Sequence, residues 1–149
     1  MDETVNYNNA IYAELICDSM GIHVDPYMQR LVRKLKGPDW LILVSDQTAH
    51  NTPNPPELEY VTDLNFTDIP GGGFDISGSR LTLNAACRNM MVHTGASIVD
   101  VFRYASYNPS RAIGLTDRGE IRKGLRADLV ICDHWMNIQS VILKGEIKQ

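Results

Sequence analysis

The sequence predicts an α/β fold, in which a parallel βαβ unit leads and an antiparallel β tail closes the chain. Three observations carry this expectation. A strand-like run, an amphipathic helix and a second apolar run succeed one another at 11–46. Helical periodicity returns between 81 and 114. From Gly119 onward the texture changes to short β segments punctuated by Gly119, Gly124 and Gly145.

The first strand is read at Tyr12–Cys17, followed by a polar loop that contains Gly21. Asp25 can cap a helix whose first position is Pro26, where a missing N–H costs nothing. Met28, Leu31, Val32 and Leu35 then recur at i, i+3, i+4 and i+7 and make one apolar face, which Gly37 and Pro38 end. Trp40–Val44 is apolar on both faces and suits a parallel strand covered by helices. A strand–helix–strand succession of this length is a right-handed parallel crossover.

Residues 47–78 lose this periodicity among Pro53, Pro55, Pro56 and the run Gly71-Gly72-Gly73. They read as a long excursion over the strand ends, with a β-hairpin as its candidate element, and a loop of that length is usually functional or mobile. A helix is expected over Leu81–His93, ending near Gly95. Ser97 and Asp100 form a capping box ahead of an apolar stripe of Ile98, Val101, Phe102 and Ala105. Asn108-Pro109 restarts a short helix that Gly114 stops. The tail holds β segments at 127–133 and 140–143, too small to stand alone, so its sheet is expected to be completed from elsewhere.

The 149 residues carry a net charge of -4 and are 44% apolar, the composition of a soluble globular protein with one core and no need of disulfides. The acidic balance argues against a nucleic-acid partner, which needs a clustered positive face. The basic group Arg30, Arg33, Lys34 and Lys36 reads as a solvated helix face. Trp40–Val44 is far short of the roughly 20 apolar residues that span a bilayer. Met1-Asp2-Glu3 begins no basic and apolar leader, so a cytoplasmic location and no membrane partner are expected. Cys17, Cys87 and Cys132 form no CxxC and lie in apolar stretches, as buried free thiols of a reducing compartment do.

In a parallel α/β arrangement the active site lies at the carboxyl ends of the strands. The loop with Asp18 and His23 and the turn with Asp46 therefore open on one edge. Asp46 is either a turn-forming aspartate or a partly desolvated carboxylate that needs a strong partner, and spacing does not choose between them. His23, by spacing, reads as an ordinary loop histidine. The histidines at 23, 50, 93 and 134 show no ligand spacing, so no metal site is expected within the chain. The triple glycine lacks the flanking strand and helix of a phosphate cradle and reads as a turn. Ile76-Ser77-Gly78-Ser79, just before a helix, could offer free N–H groups to a polar ligand.

Four motifs in order, LILVSD at 41–46, ISGSRLTLNAACRN at 76–89, ASYNPSRAIGL at 105–115 and GEIRKGLRADLVICD at 119–133, resemble the carboxy-terminal half of the N-acetylglucosamine-6-phosphate deacetylases of the amidohydrolase superfamily. The resemblance implies a partial (β/α)8 barrel, namely the last two strands and helices within 1–117, followed at 118–149 by carboxy-terminal strands of a composite β-sandwich. It implies a metal-dependent hydrolase acting on the acetamide of an N-acetyl hexosamine 6-phosphate. Asp46 matches the aspartate that takes a proton from the attacking water and returns it to the amine. His23 matches a substrate-contacting histidine, and Ile76, Ser77 and Gly78 match a backbone segment that holds the sugar phosphate.

The family's ligands to its divalent metal, zinc or iron in type, lie upstream of the matching region and so outside this chain. The loop Asp18-Ser19-Met20-Gly21-Ile22-His23-Val24 carries two residues more than the family's Asp-Gly-x-His-Val, and the stretch after Asp46 departs from the family's small-residue loop. The chain is thus expected to be inactive alone, and to form a homo-oligomer or combine with an upstream complementing segment. The alternative is a non-catalytic truncated paralogue or assembly partner.

Overall fold

The structure, a computed structural model, describes residues 10–148. The leader reading at Met1-Asp2-Glu3 lies outside these residues. Strand β1, Ala13–Ile16, pairs in parallel with β2, Leu41–Val44, in the register Ala13↔Leu41 to Ile16↔Val44. Helix α1, Pro26–Lys36, connects them, so the expected βαβ unit is present. The Asp25 side chain accepts from the Tyr27 N–H at 2.7 Å. At the other end Gly37 takes a positive φ of 64° and donates its N–H to Arg33 O, which is where an L side chain would be strained.

The buried line of α1 is Gln29, Val32 and Lys36, while Met28, Leu31 and Leu35 are half-buried. The basic group is a solvated face only in part: Arg30 and Lys34 are exposed, while Arg33 is half-buried and Lys36 buried. Arg33 pairs with Asp100 at 2.9 Å, Arg30 donates to His93 O at 2.7 Å and buried Lys36 donates to Ile11 O at 2.6 Å. Long side chains reach across to neighbouring elements because their stems pack as apolar groups.

Residues 47–78 contain the hairpin: β3, Leu64–Asp68, and β4, Phe74–Ser79, are antiparallel around the turn of Gly71, Gly72 and Gly73. Helix α2, Leu83–Thr94, starts two residues later than the spacing suggests and ends at Gly95. Ser97 and Asp100 make both bonds of the capping box at the start of α3, Ile98–Phe102. The helix does not restart at Asn108. A π-helical turn, Arg103–Tyr107, runs directly into α4, Asn108–Ala112. Asn108 donates to Arg103 O, five residues back. That widening accommodates Pro109, whose ring would otherwise strike a carbonyl one turn earlier. The inner line is Val101, Tyr104 and Asn108, with Ile98 and Phe102 exposed.

The tail is an antiparallel sheet of β5, Leu129–Cys132, β6, Ile138–Leu143, and β7, Glu146–Ile147. Val130, Ile131, Trp135, Ile138 and Ile147 are exposed apolar residues on or beside it. Among the described residues of the tail only Met136, at the β5–β6 turn, is fully buried, and it joins the main core of Leu15, Leu41, Val32, Met90 and Tyr104. Cys17 and Cys87 are buried free thiols, both pushed up to about 12 chiefly by desolvation. Cys132 is only half-buried.

Candidate functional site at the strand ends

The register Ile16↔Val44 puts Asp18 and Asp46 each two residues beyond the last paired rung, on the same edge of the two-stranded sheet. The two loops that follow are built very differently. Asp18 is fully buried, and its Oδ1 accepts from the N–H of Met20 at 3.1 Å and of Ile22 at 2.9 Å. Its Oδ2 accepts from the His23 N–H at 2.9 Å and lies 3.3 Å from His23 Nδ1. The loop that follows β1 is thus wrapped around one carboxylate. Gly21, at φ 68°, faces Pro26 so closely that a Cβ would sit 2.4 Å from its Cδ. The His23 side chain keeps 13% exposure.

Asp46 stands at a positive φ of 51° and is exposed. Of the two readings left open for Asp46, the desolvated carboxylate is therefore not the one seen: the residue is exposed, and no side chain among the described residues bonds it. Its backbone, by contrast, is held firmly. Ser79 donates its N–H to Asp46 O at 2.8 Å and its hydroxyl to Ser45 O, and Thr48 N–H donates to Ser79 O at 3.0 Å.

Ile76, Ser77 and Gly78 precede α2 but do not form its N-terminus, which begins at Leu83 after the N-cap Thr82. They lie in β4, where the pairing shifts so that Ser77 and Gly78 together oppose Asn65. Gly78 has φ 71°, and a Cβ there would lie 2.5 Å from Thr48 Cγ2 and 3.1 Å from Asp46 O. The close approach of this bulge to the turn of Asp46 is what demands glycine. The structure therefore brings Asp46 beside the 76–79 segment and His23 onto Asp18, and both groups stand on one sheet edge.

Several residues that organise this edge were not singled out by sequence reasoning. Buried Asn65 donates to Thr48 Oγ1 and to Ser79 O at 3.1 Å, and accepts from Arg80 Nε at 2.9 Å. Arg80 also donates to Thr52 O. Asp63 accepts from the N–H and hydroxyl of Ser19 at 2.6 and 3.0 Å, which ties the His23 loop to the hairpin. The available signal was Asn65 between Leu64 and Phe66: all three are buried, because the bulge breaks the alternation that would turn Asn65 outward.

Residues 41–148 match the model of the Amidohydrolase family. The chain belongs to that family. It is 32% identical to an N-acetylglucosamine-6-phosphate deacetylase of Lysinibacillus sphaericus, over 94% of this chain and 36% of that protein. It is 28% identical to a putative N-acetylgalactosamine-6-phosphate deacetylase of Escherichia coli K12, over 91% of this chain and 82% of that protein. Among solved structures, the N-acetylglucosamine-6-phosphate deacetylase of Thermotoga maritima superposes with a TM-score of 0.79 and 29% identity, covering 97% of this chain and 40% of that one. The Mycobacterium smegmatis enzyme in complex with N-acetyl-D-glucosamine-6-phosphate gives 0.75 and 28%, covering 96% and 39%.

The chain thus spans between a third and two fifths of most of these relatives, and its similarity to N-acetylglucosamine-6-phosphate deacetylases extends over nearly its whole length. No three His, Cys, Asp or Glu side chains come together as a metal site among the described residues, so the residues present do not fit a complete divalent-metal centre. No helix among them is long and apolar enough to cross a membrane.

Proposed function

We propose that these residues are the carboxy-terminal part of a deacetylase that hydrolyses the acetamide of an N-acetyl hexosamine 6-phosphate. The observation that carries the reading is the exposed, side-chain-unbonded carboxylate of Asp46, on a backbone locked to the 76–79 segment. As water oxygen attacks the acetamide carbon, Asp46 accepts the water's proton. When the C–N bond breaks it returns that proton to the amine nitrogen, releasing acetate and the free amino sugar phosphate. His23 and the backbone of Ile76, Ser77 and Gly78 hold the sugar and its phosphate. The Lewis acid, a divalent metal of zinc or iron type, is held by residues outside the 149, and so the chain alone is inactive.

In this reading residues 1–117 contribute the last strands and helices of a (β/α)8 barrel and 118–149 the carboxy-terminal strands of a small β-sandwich. The exposed apolar residues on the tail sheet, Val130, Ile131, Ile138 and Ile147, support completion by other protein. A compartment such as the cytoplasm suits the buried free thiols Cys17 and Cys87.

The test grafts residues 11–149 onto the metal-ligand half of a related deacetylase and measures acetate release from N-acetylglucosamine 6-phosphate and N-acetylgalactosamine 6-phosphate. Metal-dependent release supports the proposal. A graft that folds and binds metal but deacetylates neither compound overturns it. The same exposed apolar sheet favours, as a second reading, an assembly partner without catalysis of its own. Sedimentation of the chain at several concentrations measures that association, and activity of the graft separates the two readings.

A further inference from the structure

We propose that Asp18 is a positioning residue that fixes His23 as the Nδ1–H tautomer. The neutral ring then offers Nε2 to substrate as a hydrogen-bond acceptor, so that the group recognised is a donor such as a sugar hydroxyl. The inference rests on the substrate-contacting role given to His23 above.

The Asp18 carboxylate is fully buried and already fixed by three backbone N–H groups, those of Met20, Ile22 and His23. It is therefore a rigid acceptor whose position is set before the ring arrives. Oδ2 takes the His23 N–H at 2.9 Å and stands 3.3 Å from the ring Nδ1 of the same residue. A carboxylate oxygen that already accepts a backbone N–H faces the ring as an acceptor, so the ring nitrogen against it carries the hydrogen, and the other nitrogen of a neutral imidazole is then bare.

The loop is tied on both sides of the pair. Ser19 is bonded twice to Asp63 at the foot of the hairpin, and Gln29, itself buried, donates to Val24 O at 2.7 Å on the far side of His23. Asp18 is thus not a catalytic residue: it acts through His23.

Nitrogen-15 NMR of the full chain, at a pH where the ring is neutral, reads the tautomer directly. The expected spectrum has a protonated Nδ1 and a bare Nε2 for His23, and the reverse assignment overturns the inference. In Asp18→Asn the amide can turn its own N–H toward the ring, so the Nε2–H population should rise. An unchanged tautomer in folded D18N also overturns it. The wild-type spectrum stands as a test whether or not D18N folds.

In the grafted enzyme, D18N should raise KM by about tenfold, as loss of a group orienting a ligand does, with a smaller change in kcat. The double variant D18N/H23N should bind no more weakly than H23N alone, and additive losses would refute the positioning role. A wild-type graft that releases no acetate fails the deacetylase reading, while the tautomer result stands or falls separately.

Discussion

Asp18 and Asp46 occupy equivalent places two residues past the same rung of a parallel pair, yet the protein uses them in opposite ways. Asp18 is sealed from solvent and spends its oxygens on three backbone N–H groups and a histidine ring. Asp46 is exposed, and its backbone, not its carboxylate, makes the structural bonds. A carboxylate committed to loop geometry cannot shuttle protons. One whose main chain is anchored while its oxygens stay free can.

The sharpest way to break this contrast is to remove charge from Asp46 in the grafted enzyme. Asp46→Asn keeps size and tolerates the positive φ, but cannot accept the water's proton. Deacetylation should fall by about 10²–10⁴-fold, the usual worth of a positioned base, with little change in KM. Thermal unfolding of the chain itself should not move beyond about 0.5 kcal/mol, the range for a surface substitution away from bonded groups. Retained turnover would make Asp46 a turn former only.

The reciprocal experiment is Asp18→Ala. It strands the N–H groups of Met20, Ile22 and His23, and each lost partner of a buried donor is costly, so chemical denaturation of the chain should show a loss of about 2–3 kcal/mol. A loss below about 0.5 kcal/mol would mean that water serves those donors as well as Asp18 does.

The edge these two residues share was only partly legible in the sequence. Capping residues and short-range periodicity placed α1, β2 and the capping box of Ser97 and Asp100, because such signals act within a turn or two of the chain. The burial lines of α1 and of the run from α3 into α4 were misjudged: the packed side includes Gln29, Lys36 and Asn108, whose polar ends find carbonyls of Val24, Ile11 and Leu41. Those partners lie on other segments, and apolar periodicity carries no trace of them. Likewise the bulge at Ser77-Gly78 was invisible, since it depends on pairing with Asn65, more than ten residues away. The motif resemblance pointed to Asp46, His23 and Ile76 to Gly78 as candidates, but the strand context of Ile76 to Gly78 had to come from the structure.

That bulge gives a third measurement. Gly78→Ala adds a Cβ at positive φ, 2.5 Å from Thr48 Cγ2. Left-handed strain and the overlap together should cost about 2 kcal/mol in denaturant unfolding. Thr48→Ser removes the offending methyl and keeps the hydroxyl that Asn65 bonds, so the double variant should recover the overlap part and leave the strain. If G78A is neutral, the segment beside Asp46 is looser than its hydrogen bonds suggest, and the anchored-backbone half of the contrast fails.

The smallest effect concerns a third carboxylate, intermediate between the other two. Asp100 keeps 24% side-chain exposure, yet its Oδ2 accepts from Ser97 N–H at 3.0 Å and from Arg33 at 2.9 Å. The backbone bond from Ser97, with the Arg33 guanidinium beside it, holds its pKa below the ordinary carboxylate value, against the opposing effect of burial. A group whose pKa is depressed on folding binds its proton more readily in the unfolded chain. Its contribution is therefore complete above the unfolded value and disappears as pH falls through the folded one. Asp100→Asn should cost about 1 kcal/mol at neutral pH, the scale of a cap with a partly exposed ion pair. The gap to wild type should close on acidification below the ordinary aspartate range. Equal destabilisation at every pH would show that the capping geometry, not the charge, supplies the stability. Asp100 would then join Asp18 as a carboxylate that holds local geometry, set apart from Asp46, whose oxygens no side chain among the described residues bonds.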